Sequence, residues 1–104
     1  KSSEAGSSGG LMTTLEIYNR LIDEDITKGL KIAGTGTINL DGTVGEIGGV
    51  KYKLKGAVKN GADVFIVPTN NYKEALEVKE KEGYKIKLIE AKTFEGVLAD
   101  LSKL

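Results

Sequence analysis

The stretch that most constrains the fold of this 104-residue chain is Asp63-Val64-Phe65-Ile66-Val67, which runs directly into Pro68. Successive side chains of a strand point to opposite faces, so an unbroken apolar run is apolar on both. Such a strand has to be covered on both sides, as in the interior of an α/β sheet. The rest of the chain supplies the covers. Leu11, Leu15, Tyr18 and Leu21/Ile22 recur at helical spacing and predict a helix over 10–23. A polar loop is expected over 23–29. Residues 31–38, rich in β-branched side chains, read as a strand, and Asp41-Gly42 reads as the turn of a hairpin returning over 43–47. Gly48-Gly49 then releases the chain into a helix over 50–60 that stops at Gly61.

After the apolar strand, 72–82 reads as a charged helix and 85–90 (KIKLIE) as a half-buried strand. Thr93 is placed to cap a last helix, whose apolar stripe is Phe94, Val97, Leu98 and Leu101. The expected order is α-β-β-α-β-α-β-α. This is an α/β fold of α+β character, a mixed sheet with some antiparallel content. No internal repeat or internal domain boundary is visible. The first helix needs a surface to pack against, and both apolar strands after it read as central ones. The chain is therefore expected to be one partial domain, 1–104, whose preceding strands lie upstream.

Absences narrow the chemistry. The chain has no Cys and no His. A disulfide framework, a Cys/His zinc site, a cysteine nucleophile and a Ser-His-Asp triad within this chain are excluded. A nucleophilic serine here has to take its base from a lysine or a carboxylate, unless another segment supplies one. Equal numbers of basic and acidic residues, 15 each, lack the basic excess of a nucleic-acid binder. No apolar run of membrane-spanning length and no signal-peptide pattern occurs.

Three places could carry chemistry. Ser7 and Ser8 stand in the turn Gly6-Ser7-Ser8-Gly9-Gly10 just before the first helix. A serine there can expose its oxygen beside helix N–H groups able to hold an oxyanion, although an N-cap serine or a flexible Gly/Ser linker has the same composition. Thr35 lies between two glycines in Ala33-Gly34-Thr35-Gly36-Thr37, a pattern that also fits a strand bulge. As a phosphate loop that stretch fails: it lacks G-x-x-x-x-G-K-[ST], and no helix follows directly.

The third place is Gly48-Gly49-Val50-Lys51-Tyr52-Lys53. A lysine acting as general base starts from a pKa of about 10.4, so roughly one in 2,500 is neutral at pH 7. Lowering that value by about 3 units costs about 4 kcal/mol, and only burial or a nearby positive charge can do it. Val50, Leu54, Ala57 and Val58 define the apolar face of this helix, Lys55 and Lys59 lie off it, and Lys51 and Lys53 sit on its two borders. Periodicity does not choose between those two. Neighbours favour Lys53, which has Gly49, Gly56 and Ala57 at i−4, i+3 and i+4, whereas Lys51 faces Leu54 and Lys55.

Taken together these residues resemble the Lon protease family. In that family a serine in a Gly-Pro-Ser-Ala-Gly turn opens a helix, and a lysine follows a strand–turn–strand segment and a Gly-Gly pair. The resemblance places Ser8 on the nucleophile and Lys53, third after Gly-Gly-hydrophobic, on the base. Thr35 falls on a threonine near that lysine. It continues through Asp41-Gly42-Thr43-Val44-Gly45-Glu46-Ile47, Ala62-Asp63-Val64-Phe65-Ile66-Val67-Pro68 and Thr93-Phe94-Glu95. It implies the C-terminal part of a proteolytic domain similar to the second domain of ribosomal protein S5. It also implies a Ser-Lys endopeptidase without cofactor or metal, acting on proteins or peptides and assembling as a homo-oligomeric ring, commonly a hexamer.

The wording of 11–19 and 33–38 is most similar to bacterial Lon-like proteases that carry a PDZ domain, are ATP-independent, and work outside the cytoplasm on a membrane anchor outside this chain. ATP-dependent, cytoplasmic Lon is the alternative. Ser7 stands where the family usually has proline, and Gly9 where it usually has alanine, and both changes loosen the turn. A catalytically silent scaffold is the competing expectation.

Overall fold

The computed structural model describes residues 9–22 and 25–104. In chain order the elements are α1 (Gly10–Leu21), β1 (Ile32–Gly34), β2 (Thr37–Ile38), β3 (Val44–Gly45), α2 (Val50–Lys59), β4 (Val64–Pro68), α3 (Thr69–Glu82), β5 (Lys87–Ala91) and α4 (Phe94–Ser102). A parallel sheet has the order β1-β4-β5, with Ile32 opposite Val64 and Val64 opposite Lys87. β2 and β3 form a separate antiparallel ribbon, Thr37 opposite Gly45. The antiparallel content is therefore beside the parallel sheet rather than within it.

β4 is central among the described strands, and every one of its residues is buried. Its alternation serves two cores. Val64 and Ile66 join Leu11, Leu15, Ile89, Ala91, Val97 and Leu101, which fixes α1 and α4 on one face. Phe65 and Val67 join Val50, Leu54, Ala57, Ala75 and Ile86, which fixes α2 and α3 on the other. The run is apolar throughout because both faces are covered by helices. Tyr18 of α1 meets Phe94 of α4 edge to face, ring centroids 5.7 Å apart.

The single strand expected over 31–38 is two. The Thr35 N–H makes the last bond to β4, donating to the Ile66 carbonyl at 3.0 Å. One residue on, the Gly36 carbonyl accepts from Leu11 N–H at 3.0 Å. The chain leaves the sheet because its hydrogen bonding is handed from β4 to α1. The ribbon beyond it is fastened to the last crossover: Val44 N–H donates to Lys92 O at 2.9 Å, and Phe94 N–H to Gly42 O at 2.8 Å. The charged helix begins at Thr69 rather than at residue 72, directly after Pro68. Thr93 caps α4 as expected, its hydroxyl accepting from Gly96 N–H at 3.0 Å.

Two aspartates organise turns. Asp25, in the polar loop, accepts from Thr27 N–H at 3.0 Å and from its hydroxyl at 2.7 Å. Asp41 accepts from Thr43 N–H at 3.0 Å and its hydroxyl at 2.7 Å. These are Asx turns, in which a side chain supplies the acceptor the local backbone lacks. The expected loop at Asp23 and Glu24 lies outside the described residues. No described helix is long and apolar enough to cross a membrane.

Candidate active site

Of the predicted site residues, Thr35 directly follows β1 and Lys53 lies in the first turns of α2. Ser8, together with Ser7, lies outside the described residues. The two residues after Ser8 are described: Gly9 is the N-cap position of α1, with its carbonyl accepting from Thr13 N–H at 3.0 Å, and Gly10 opens the helix. The bond from Leu11 N–H to Gly36 O sets that helix start beside the residue after Thr35. Among the first-turn donors, the N–H of Leu11 is thereby committed to structure rather than to a ligand.

Thr35 is buried, 5% exposed, at the end of β1. Ala33, two residues earlier, packs on the cluster that holds Val50 and Leu54. The end of β1 and the start of α2 therefore meet at one core cluster. Lys53 lies in that helix, its N–H donating to Gly49 O at 3.0 Å in the first intrahelical bond. Gly49 has φ of +69°, a left-handed conformation that glycine adopts without the cost a Cβ imposes. That turn aims the helix so that Val50, Leu54 and Ala57 enter the core. Of the lysines on α2, Lys53 alone is half-buried, and Lys51, Lys55 and Lys59 are exposed. The border between core and solvent is where a basic side chain can be partly desolvated while remaining reachable.

Sequence reading missed Asn71. It is 8% exposed, and Thr35 is the other buried polar residue among those described. Its Oδ1 accepts from Ile47 N–H and its Nδ2 donates to Ile47 O, both at 2.8 Å. Beside it, Asn70 Nδ2 donates to Glu46 Oε1 at 3.0 Å. Two adjacent asparagines just after an apolar strand were the available signal, but they read equally well as a polar start to the next helix. In the same segment the Thr69 hydroxyl is buried and has no hydrogen-bond partner among the described residues.

A cavity of about 340 Å³ flanks α1 and β1, lined by Met12, Leu15, Asn19, Ile26, Ile32 and Leu101 among others, and holds none of the predicted site residues. Among the described residues no cluster of three or more His, Cys, Asp or Glu could hold a metal.

Comparison with known proteins finds matches over nearly the whole chain. Residues 3–103 match the family model of the Lon protease (S16) C-terminal proteolytic domain. Lon protease 2 of Bacillus subtilis is 35% identical over 96 residues, 92% of this chain and 16% of that protein. Lon protease of Clostridium acetobutylicum is 34% identical over 93 residues, 89% of this chain and 12% of that protein. Lon protease of Geobacter metallireducens is 31% identical over 94 residues, covering 90% and 11%. The chain spans between a tenth and a sixth of the length of these relatives. It belongs to the Lon protease family, within the C-terminal proteolytic domain.

Proposed function

We propose that this chain carries the Ser8–Lys53 dyad of a serine endopeptidase. The observation that carries the base assignment is the half-burial of Lys53 against the exposure of the three other lysines on α2. Neutral Lys53 takes the proton of the Ser8 hydroxyl as its oxygen attacks the peptide carbonyl carbon. The tetrahedral intermediate collapses with cleavage of the C–N bond, and the Lys53 ammonium gives its proton to the leaving amine. An ester joins the acyl group to Ser8 until water, deprotonated by Lys53, hydrolyses it and restores the serine. Backbone N–H groups near Ser8 hold the oxyanion, and the Thr35 hydroxyl orients Lys53. Substrates are proteins or peptides.

The experiment is site-mapped acylation of the intact protein by a fluorophosphonate probe. Labelling at Ser8 that is lost in Lys53→Met and retained in Lys51→Ala is the expected result. Normal labelling in Lys53→Met removes the base assignment. Labelling at Ser7 moves the nucleophile by one residue. The loosened turn, Ser7 and Gly9 in place of proline and alanine, favours a second reading as a silent scaffold. Absence of labelling in folded wild-type protein would establish that reading.

The parent is proposed to be an ATP-independent, PDZ-containing, ring-forming protease that is membrane-anchored and extracytoplasmic. Support comes from the wording of 11–19 and 33–38. Proteolysis by the intact protein that requires ATP hydrolysis would exclude this branch and leave the Ser-Lys chemistry standing.

A further inference from the structure

We propose that Asn71 is a positioning residue for Lys53, acting through the turn that starts α2. The inference rests on the assignment of Lys53 as the base. Ile47 lies two residues beyond the end of β3 and three before the start of α2, so its backbone has no strand ladder to enter. The carboxamide of Asn71 satisfies both of its polar groups, donating to its carbonyl and accepting from its N–H at 2.8 Å. The Ile47 side chain packs on the cluster of Val50, Leu54 and Phe65. The residue is held by its backbone on one side and by its side chain on the other.

The segment after Ile47 needs that anchor. Gly48 and Gly49 are exposed and bring no side chain to hold them, and Gly49 sits at φ +69°. The first bond of α2 then runs from Lys53 N–H to the Gly49 carbonyl. The backbone of Lys53 is thus tied to a two-glycine link whose upstream end is fixed by Asn71. Asn71 itself is set by β4: it is three residues past Pro68, in the first turn of α3, where its side chain is 8% exposed. The clamp therefore refers the start of α2 to the end of the central strand, the same end at which Thr35 bonds to Ile66. Both elements that bear on Lys53 take their position from one strand. Asn70, which reaches only the exposed Glu46 side chain, makes no such backbone connection.

A base misplaced by a fraction of an ångström to an ångström loses much of its rate without any loss of substrate contacts. Asn71→Ala is therefore expected to slow acylation of Ser8 by the fluorophosphonate by about 10- to 100-fold. It should also lower kcat for peptide cleavage while leaving KM in place, because the substrate contacts are untouched. Asn70→Ala is the control, expected to leave both in place. Amide hydrogen exchange supplies the second readout: Asn71→Ala should speed exchange at the Lys53 N–H, and Asn70→Ala should not. Should Asn71→Ala fail to fold, Asn71→Asp keeps the acceptor for Ile47 N–H and loses the donor to Ile47 O, and is expected to fall between wild type and alanine.

Wild-type acylation rate, kcat and Lys53 exchange in Asn71→Ala or Asn71→Asp overturn the clamp. Failure of the base assignment gives a different signature, normal labelling in Lys53→Met. The exchange measurement judges the clamp even then.

Discussion

At the scale of single residues, the two turn aspartates carry a testable pH dependence. The Thr27 hydroxyl, followed by the Thr27 N–H, holds the Asp25 carboxyl below its ordinary range. The Thr43 N–H, followed by the Thr43 hydroxyl, does the same for Asp41. A carboxyl whose pKa is lower folded than unfolded stabilises the fold above the unfolded value, about 3.9 for aspartate. That contribution is lost as pH falls through the lowered folded value. Both groups are exposed, so the effect is small and screened by salt. Acid titration of stability should therefore show a loss beginning near pH 4, reduced in Asp41→Asn and in Asp25→Asn. A profile unchanged in both variants would mean the turns are held without their carboxylates. Asp41 was legible in the sequence through the Asp-Gly signal, whereas the pairing of Asn71 with Ile47 was not, because those residues stand 24 apart and nothing local links them.

At the scale of elements, termini follow local chemistry and strand breaks do not. Thr93 was readable as a cap because the N-cap acceptor and its donor lie three residues apart in the chain. Thr93→Ala should cost about 1 kcal/mol, while Thr93→Gly should cost only a few tenths, both measured by urea unfolding. An unchanged midpoint in Thr93→Ala would mean the hydroxyl bond contributes nothing. The division of 31–38 into two strands depends instead on Leu11 N–H reaching Gly36, a contact between distant parts of the chain.

The same crossing explains Gly34. A Cβ there would lie 2.8 Å from Met12 Sδ and 2.9 Å from both Ile66 Cβ and Ile66 O. Met12 is flexible, but the Ile66 carbonyl belongs to the central strand. Gly34→Ala is therefore expected to destabilise by about 1–3 kcal/mol as an overpacked contact, read by denaturant midpoint. An unchanged midpoint would show that β1 can shift away from β4.

At the scale of the whole molecule, two cores share β4, and each face serves a different part of the candidate site. Ile66 faces the cluster of α1, the helix just after Ser8, and Phe65 faces the cluster of α2, which bears Lys53. Phe65→Ala should cost about 3–5 kcal/mol and Ile66→Ala about 2–5 kcal/mol. Because a domain of this size has a total stability of about 5–15 kcal/mol, either change should remove a large share of it. With β4 common to both clusters, unfolding should stay a single transition in both variants, followed by circular dichroism and by tyrosine fluorescence. Two separated transitions would show that the layers are independent.

The sequence by itself determined that the chain is α/β, that β4 is covered on both faces, the order of the helices, and where the hairpin turn and the cap at Thr93 fall. Periodicity alone left Lys51 and Lys53 on the two borders of the α2 face, and the residues around them pointed to Lys53 as the proposed base. These are properties of spacing and residue type within a few turns of chain, where side-chain direction follows from the backbone period. Tertiary structure decided the rest. It set the partition into a parallel sheet and a separate ribbon, the break at Thr35-Gly36, the half-burial of Lys53 against the exposure of Lys51, and the grip of Asn71 on Ile47. Each depends on which distant groups meet when the helices close over β4, and on which backbone donors and acceptors remain to be satisfied there.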